Sequence, residues 1–214
     1  MAEENELVIH CQYRPGSFII QGAVLAVATP KSDLSDHVVA RIGRSFLLGH
    51  RRTYEQDVVF ALDQLVEIGV RALSPGINDP FTAMMCLDHL GSAISRVGNE
   101  RSAPRCFFDS AGNPRLVEVP FTKEGLVGLA FNQIREQGSG HISVIVHLLE
   151  TLRAVAQQSN GSGMNLALLC HAELVLESYR QRHNNGHDLN ILNMVYRTTV
   201  ESIRNKSCSP EGPE

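Results

Sequence analysis

Apolar and polar positions alternate over the first thirty residues and then recur at helical spacing over most of the remaining chain. The stretch ELVIHCQY approaches the period of two that is typical of a half-buried strand. RPGS follows, with Pro and Gly at the second and third positions of a type II turn. The short apolar runs FII and AVLAVA come next, separated by QG. The pattern predicts a small β unit of three short extended runs over residues 1–32.

Helical spacing begins near Ser35. It predicts helices over about residues 35–48, 54–73, 80–97, 121–137, 141–157, 164–182 and 188–204. Thr53 with Gln56 three positions later forms a capping-box signature for the second helix, and Thr122 is a favourable N-cap for a later one. RCFFDSAGNPRLVEV places turn-forming residues between two extended runs, which predicts a β-hairpin around 104–119.

The chain is therefore predicted to be mainly α with a small β portion. The predicted architecture is an antiparallel helical bundle over residues 33–205, an N-terminal β unit and a central β-hairpin inserted in the bundle. The hairpin and the N-terminal strands are separate in sequence but can lie side by side in space. Residues 206–214, rich in Ser, Pro and Gly, are predicted to form a disordered tail.

Composition and charge argue against a nucleic-acid-binding, membrane-spanning or secreted protein. The chain has 214 residues, 43% hydrophobic and 20% charged, as expected of a soluble globular protein of one or two domains. The net charge of −4 gives no case for a nucleic-acid partner. No apolar run approaches the roughly 18–20 residues needed to span a bilayer, and the first ten residues do not read as a signal peptide. Five cysteines without a repeating spacing favour a reduced, intracellular protein.

The stretch RALSPGINDPFTA, from Arg71 to Ala83, predicts a rigid corner between two helices. Pro75 and Gly76 end the first helix, and Asp79 followed by Pro80 begins the second as N-cap and first helical residue. Asn78 suits the turn between them. Arg71 lies one turn before the end of the first helix, so it is expected to be the latch of the corner, reaching Glu67, Asp79 or the helix-end carbonyls. If that pair is largely buried, its loss is costly, whereas a surface salt bridge is worth little.

Polar stripes on the two helices of the corner form a candidate ligand site or enzyme site. Its residues are Asp57, Glu67, Arg71, Asn78, Asp79, Asp88 and His89. The alternative is that Glu67 and Arg71, four positions apart, form an ordinary helical ion pair. No Glu-x-x-His pair accompanies the carboxylates, Ser74 does not lie in a Gly-x-Ser-x-Gly elbow, and no Gly-rich phosphate loop is present. No metal, cofactor or catalytic residue is therefore predicted.

A second candidate is a local basic cluster near the end of the first predicted helix. It consists of Arg41, Arg44, Arg51 and Arg52, with His50 among them. These cations complement the negative end of the helix dipole. The alternative is contact with anionic lipid headgroups or with a phosphate-bearing ligand.

Three motifs carry a family resemblance. They are Arg-Thr-x-Glu-Gln-Asp at 52–57, ALSPGINDPFTA at 72–83, and RPGSFIIQG at 14–22, which is similar to a Pro-Gly-x-Phe-x-x-x-Gly turn. On these the chain, from Leu7 to about Leu176, resembles a bacterial family of predicted membrane proteins of unknown function. In that family several transmembrane helices precede a soluble C-terminal half, and this chain is similar to the soluble half alone.

The resemblance implies a cytoplasmic domain at the inner face of the cell membrane, attached through an upstream transmembrane region absent from this chain. It supplies no activity. Together with the lack of a catalytic constellation, it favours a non-enzymatic domain, either a homo-oligomeric scaffold or a ligand-sensing module. The alternative is an enzyme or small-ligand binder that uses the polar stripes around the corner.

Overall fold

The computed structural model describes residues 1–30, 34–55, 57–99, 105–159 and 161–207. Its helices are α1 (Asp36–Arg44), α2 (Val58–Ala72), α3 (Pro80–Gly98), α4 (Lys123–Gln137), α5 (Ile142–Gln158), α6 (Ser162–Arg182) and α7 (Gly186–Ser207). Its strands are β1 (Val8–Cys11), β2 (Ala26–Thr29), β3 (Cys106–Phe108) and β4 (Pro114–Val117). The predicted fold class, mainly α with a small β portion, is confirmed.

The chain divides into two compact units. The β-sheet unit comprises Met1–Phe60 and Ser102–Pro120, and the helical unit comprises Ala61–Arg101 and Phe121–Glu214. Residues 206 and 207 of the predicted tail belong to α7, and the rest of that tail lies outside the described residues.

The sheet joins the N-terminal strands to the central hairpin in the order β2-β1-β4-β3. β1 pairs antiparallel with β2, so that Val8 lies opposite Thr29, and parallel with β4, so that Ile9 lies opposite Leu116. Leu7, just before β1, and Ile9, within it, are buried. The expected proximity of hairpin and N-terminal strands is thus confirmed.

Two local turns hold this unit in shape. Arg14–Ser17 is the predicted turn, with a hydrogen bond from the Ser17 amide to the Arg14 carbonyl and a positive φ of 79° at Gly16. At the hairpin tip, the Asp109 carboxylate accepts the backbone N–H groups of Ala111 and Asn113 and the Arg115 Nε–H, 2.8 Å away. These hydrogen bonds, above all the one from the Asn113 backbone N–H, lower the pKa of Asp109 from its ordinary value to about 2.

Three predictions in this unit are wrong. The run FII is not a strand, and Phe18 and Ile20 are exposed. Helix α1 ends at Arg44, before the predicted Leu48, because Leu47 and Leu48 are exposed and extend no buried face. Helix α2 begins at Val58 rather than near Tyr54, because the Asp57 carboxylate accepts the Phe60 N–H at 3.1 Å in the manner of an N-cap.

The Thr53 capping box therefore does not start α2. Its second member, Gln56, lies outside the described residues. The later cap is confirmed, since the Thr122 hydroxyl accepts the Gly125 N–H at the start of α4.

The helical unit has one hydrophobic core, to which α2–α7 all contribute. Helix α5 buries an apolar stripe at helical spacing, with Ile145, Leu148 and Leu152 fully enclosed. It packs mainly against α7 and α3. The position of α3 beside α5 is what creates the larger candidate site described below.

Candidate functional site

The first site is a cluster in the β-sheet unit, which we call the clasp, formed by Gly16, Arg52 and Asp57. Arg52 holds both carboxylate oxygens of Asp57, with Nε 2.6 Å from Oδ2 and Nη2 3.0 Å from Oδ1. Asp57 is only 4% exposed. Its Oδ1 also caps α2, so one buried carboxylate fixes both the loop before the helix and the helix start.

Gly16 brings the RPGS turn against this ion pair. An ideal Cβ at Gly16 would lie 1.7 Å from Asp57 Oδ2 and 3.0 Å from Arg52 Nε, so no larger residue fits there. The Phe60 ring packs against the guanidinium of Arg52, with 5.1 Å between the ring centroid and Cζ. The centroids of the Tyr54 and Phe60 rings are 4.7 Å apart. Two of the three motifs that carry the family resemblance therefore meet at the clasp.

The clasp is built for structure rather than reaction. Both Asp57 oxygens already accept hydrogen bonds, and the carboxylate is shielded from solvent. A general base needs an accessible lone pair within reach of a substrate proton. Asp57 does not present one.

The corner residues do not converge on a common site. Glu67 and Arg71 pair with each other on an exposed helix face. The Asp79 carboxylate accepts the Thr82 N–H at 3.1 Å and the Thr82 hydroxyl at 2.6 Å, which lowers the pKa of Asp79. Asn78 has a φ of 50°, as the turn requires.

The expected contact of Arg71 with Glu67 forms, but the pair is exposed, so Arg71 does not act as the latch of the corner. Its side chain is 73% exposed and contacts Glu67, while Asp79 is occupied by Thr82 as the N-cap of α3. The physical reason is that the polar stripe of α2 faces solvent at this point, so the arginine stays hydrated. A surface ion pair of this kind is worth about 0–1 kcal/mol.

Asp88 finds its partner on a different helix from the corner residues. His147 of α5 places Nε2 2.8 Å from Asp88 Oδ1, and its Nδ1 lies 3.9 Å from Glu150 Oε2. His89, next to Asp88, is exposed. No local pattern in the sequence indicates that α3 and α5 are neighbours, so the pairing of Asp88 with His147 is not predictable from it.

The second site is a groove of about 470 Å³ between α3 and α5. Its lining residues are Asp88, Gly91, Ser92, Ser95, Arg96 and Asn99 from the α3 side and Thr151, Ala154, Val155 and Gln158 from α5. An ideal Cβ at Gly91 would lie 2.6 Å from Thr151 Cγ2, so the glycine permits close helix packing at the groove floor. The Asn99 side chain donates to the Gln158 carbonyl at 3.0 Å and closes one end.

The polar side of α3 was visible in the sequence, but the groove was not. Ser92, Ser95 and Arg96 share a stripe with Asp88 and His89. The opposite wall from α5 is a tertiary contact over more than fifty residues of sequence, which periodicity does not indicate.

Two of the four arginines in the basic cluster form ion pairs with carboxylates. Arg41 pairs with Glu4 at 3.2 Å and Arg52 belongs to the clasp. Arg44 and Arg51 are exposed. The exposed positive charge of the cluster thus rests mainly on these two.

Among the described residues, no group of three or more His, Cys, Asp or Glu side chains is placed to hold a metal ion. In the same parts of the chain, no helix combines the length and apolar character required to cross a bilayer.

Comparison with known proteins places the chain in a family. Residues 1–154 match the family described as "Predicted membrane protein (DUF2254)". The chain belongs to DUF2254. An uncharacterised protein of Mycobacterium bovis and two of Mycobacterium tuberculosis are similar to it, each 32% identical over 174 residues. The aligned region is 76% of this chain and 32% of each relative, so the chain spans about a third of their length. No solved structure matches.

DUF2254 is a family of predicted membrane proteins, and no function is assigned to it or to these relatives. The family resemblance inferred from the three motifs is confirmed.

Proposed function

We propose that this chain is a non-catalytic, ligand-sensing domain of a DUF2254 membrane protein, located at the cytoplasmic face of the cell membrane. The observation that carries the proposal is the groove between α3 and α5. Its volume of about 470 Å³ falls within the range of small-molecule sites. Two thirds of each relative's length lies outside the aligned region, and we assign membrane attachment to that remainder.

The lining of the groove suits a small anion. Among the described lining residues, Arg96 is the one cation, and Ser92 and Gln158 add a hydroxyl and an amide group. The Ser95 hydroxyl and the Asn99 amide already donate to the carbonyls of Gly91 and Gln158. The acidic lining residue, Asp88, is already bonded to His147 at 2.8 Å. A guanidinium with neighbouring neutral donors is the arrangement that binds carboxylate or phosphate.

Three of the four carboxylates predicted for an enzyme have structural partners away from the groove, and the fourth, Asp88, lines the groove and bonds His147. Asp57 is held by Arg52, Asp79 by Thr82 and Glu67 by Arg71. This distribution favours binding over catalysis, since a reaction site needs several such groups within reach of one substrate.

Isothermal titration with a panel of small anions tests the proposal. The panel is inorganic phosphate, glycerol phosphate and short dicarboxylates, and the proteins are wild type, Arg96→Gln and the control Arg197→Gln on an exposed face of α7. The proposal expects saturable binding of at least one anion to wild type and to the control, and at least tenfold weaker binding to Arg96→Gln. Absence of binding across the panel, or equal binding to Arg96→Gln, contradicts it.

A homo-oligomeric scaffold is the second candidate, because α3 exposes Phe81 and Met85 one turn apart on a single face. Light scattering during size-exclusion chromatography is expected to give a defined oligomer for wild type and a smaller mass for Phe81→Ser with Met85→Ser. A monomer at high concentration rules this candidate out.

A further inference from the structure

Two loops of the β-sheet unit expose large apolar side chains to solvent. Phe18 is 91% and Ile20 71% exposed in the loop between β1 and β2. Leu47 is 97% and Leu48 72% exposed in the loop after α1. Side chains of this size are normally buried, and a group of them on loop tips marks an interaction surface.

The two loops are neighbours. The ideal Cβ position of Gly16 lies 3.0 Å from Arg52 Nε, so the clasp joins their bases. At no more than about 3.6 Å per residue, Phe18 lies within roughly 7 Å along the chain from Gly16, and Leu48 within roughly 15 Å from Arg52. The clasp therefore joins the bases of the two loops that carry these four apolar side chains.

Positive charge accompanies the apolar tips. Residues 41–52 contain four arginines and His50 but no Asp or Glu, and residues 7–30 contain no Asp or Glu either. Arg41 and Arg52 have carboxylate partners in Glu4 and Asp57. Arg44 and Arg51 flank Leu47 and Leu48 and are exposed.

We infer that the region formed by residues 18–20 and 44–51, the apolar-basic surface, docks on an anionic lipid bilayer. Phe and Leu side chains enter the boundary between headgroups and acyl chains, while the arginines contact lipid phosphates. A second copy of the same surface is a poorer partner, because the arginines would face one another. The inference does not depend on the groove between α3 and α5.

Vesicle partition tests this docking directly. The chain is mixed with phosphatidylcholine vesicles that contain phosphatidylglycerol and, separately, with phosphatidylcholine alone. Wild type is expected to bind the anionic vesicles, to bind the neutral ones at least tenfold more weakly, and to lose affinity as salt rises. Arg44→Gln with Arg51→Gln is expected to bind roughly thirtyfold more weakly, from two basic residues near the surface.

The double variant Leu47→Ser with Leu48→Ser is expected to bind anionic vesicles at least tenfold more weakly than wild type, while the salt dependence of its binding changes little. Matched controls come from the helical unit: Leu166→Ser with Leu174→Ser on α6, and Arg197→Gln with Arg204→Gln on α7, all exposed residues. The controls are expected to bind as wild type does. Circular dichroism spectra that match wild type establish that each variant is folded.

Several results would overturn the inference. One is equal binding to neutral and anionic vesicles, and another is an equal loss in the controls. A third is inhibition of vesicle binding by inorganic phosphate at the lipid phosphate concentration, which would make the surface a site for free phosphate. A fourth is a smaller mass by light scattering for Leu47→Ser with Leu48→Ser while vesicle binding is unchanged, which would make it an interface between copies.

Discussion

Arg52 and Asp57 form a two-point ion pair, with Nε 2.6 Å from Oδ2 and Nη2 3.0 Å from Oδ1, and the carboxylate is buried. The pair therefore combines charge with a planar geometry that only arginine provides. Because the same carboxylate also caps α2, loss of the arginine disturbs both the loop and the helix start.

Substitution of Arg52 by Ala is expected to destabilise the fold by about 3–5 kcal/mol, because it leaves a buried carboxylate without a counter-charge. Arg52→Lys is expected to fall between wild type and Arg52→Ala, since an ammonium does not bridge both oxygens. Scanning calorimetry measures the differences. Arg71→Ala, which breaks an exposed ion pair, is the control and is expected to cost at most about 1 kcal/mol. Equal losses for Arg52→Ala and Arg71→Ala would contradict this account of the clasp.

Gly16→Ala is expected to disrupt the clasp itself. The new methyl would collide with the Asp57 carboxylate, 1.7 Å away, in addition to the strain of a positive φ. Gly22→Ala isolates the strain, because Gly22 has a φ of 90° and open space around it. Gly22→Ala is expected to cost about 1–2 kcal/mol and Gly16→Ala clearly more. Equal calorimetric midpoints for the two variants would show that Gly16 does not touch the ion pair.

The sequence predicts the helices well because their signals are local. The periodic apolar stripe of α5 and the Asp79–Pro80 start of α3 both appear within one segment. It misplaces the start of α2 because Thr53 and Asp57 are both good caps, and the choice of Asp57 depends on its contacts with Arg52 and Gly16. Helical spacing extends the first predicted helix through Leu47 and Leu48 because apolar residues are normally expected to pack, but both are exposed.

In the candidate sites too, the sequence predicts the local features but not the contacts between distant segments. Arg52, Asp57 and the Gly16 turn were each identified from sequence, but not as one cluster. The polar stripe of α3 was identified, whereas its opposite wall, Thr151 to Gln158, required knowledge of helix pairing. The predicted convergence around the corner assumed that two polar stripes face each other, and Glu67 and Asp79 instead satisfy their hydrogen bonds locally.

Acid is expected to destabilise the helical unit through His171. This histidine of α6 is buried, with its ring 5.8 Å from that of Phe131. Desolvation, followed by the nearby positive charge of Arg135, lowers the pKa of His171 to about 4 from an ordinary value of 6.5. Because the unfolded chain takes up the proton first, stability is retained above about pH 6.5 and falls by about 3 kcal/mol as the pH approaches 4.

Urea denaturation between neutral pH and pH 4 measures this dependence. His171→Gln is expected to remove the corresponding part of the acid-dependent loss, whereas the control His187→Gln, at an exposed position of α7, is expected to retain it. The same pH dependence in wild type and His171→Gln would exclude His171 as its source.

The floor of the groove is expected to tolerate no added methyl group. Gly91→Ala would bring a Cβ to 2.6 Å from the methyl of buried Thr151 and is expected to cost about 1–3 kcal/mol. Gly163→Ala is the control, because the nearest atom to a Cβ there is 3.8 Å away, and it is expected to stabilise by up to about 1 kcal/mol. Urea denaturation followed by circular dichroism compares them. A Gly91→Ala variant as stable as wild type would show that α3 and α5 are not in close contact.

The groove as an anion site is the central functional claim, and a phosphate titration followed by amide NMR shifts tests it most directly. We expect saturable shifts at Ser92, Ser95, Arg96 and Gln158 in wild type and their loss in Arg96→Gln. The result that would contradict the claim is a titration in which these amides do not saturate, or in which the shifts are confined to residues 41–52.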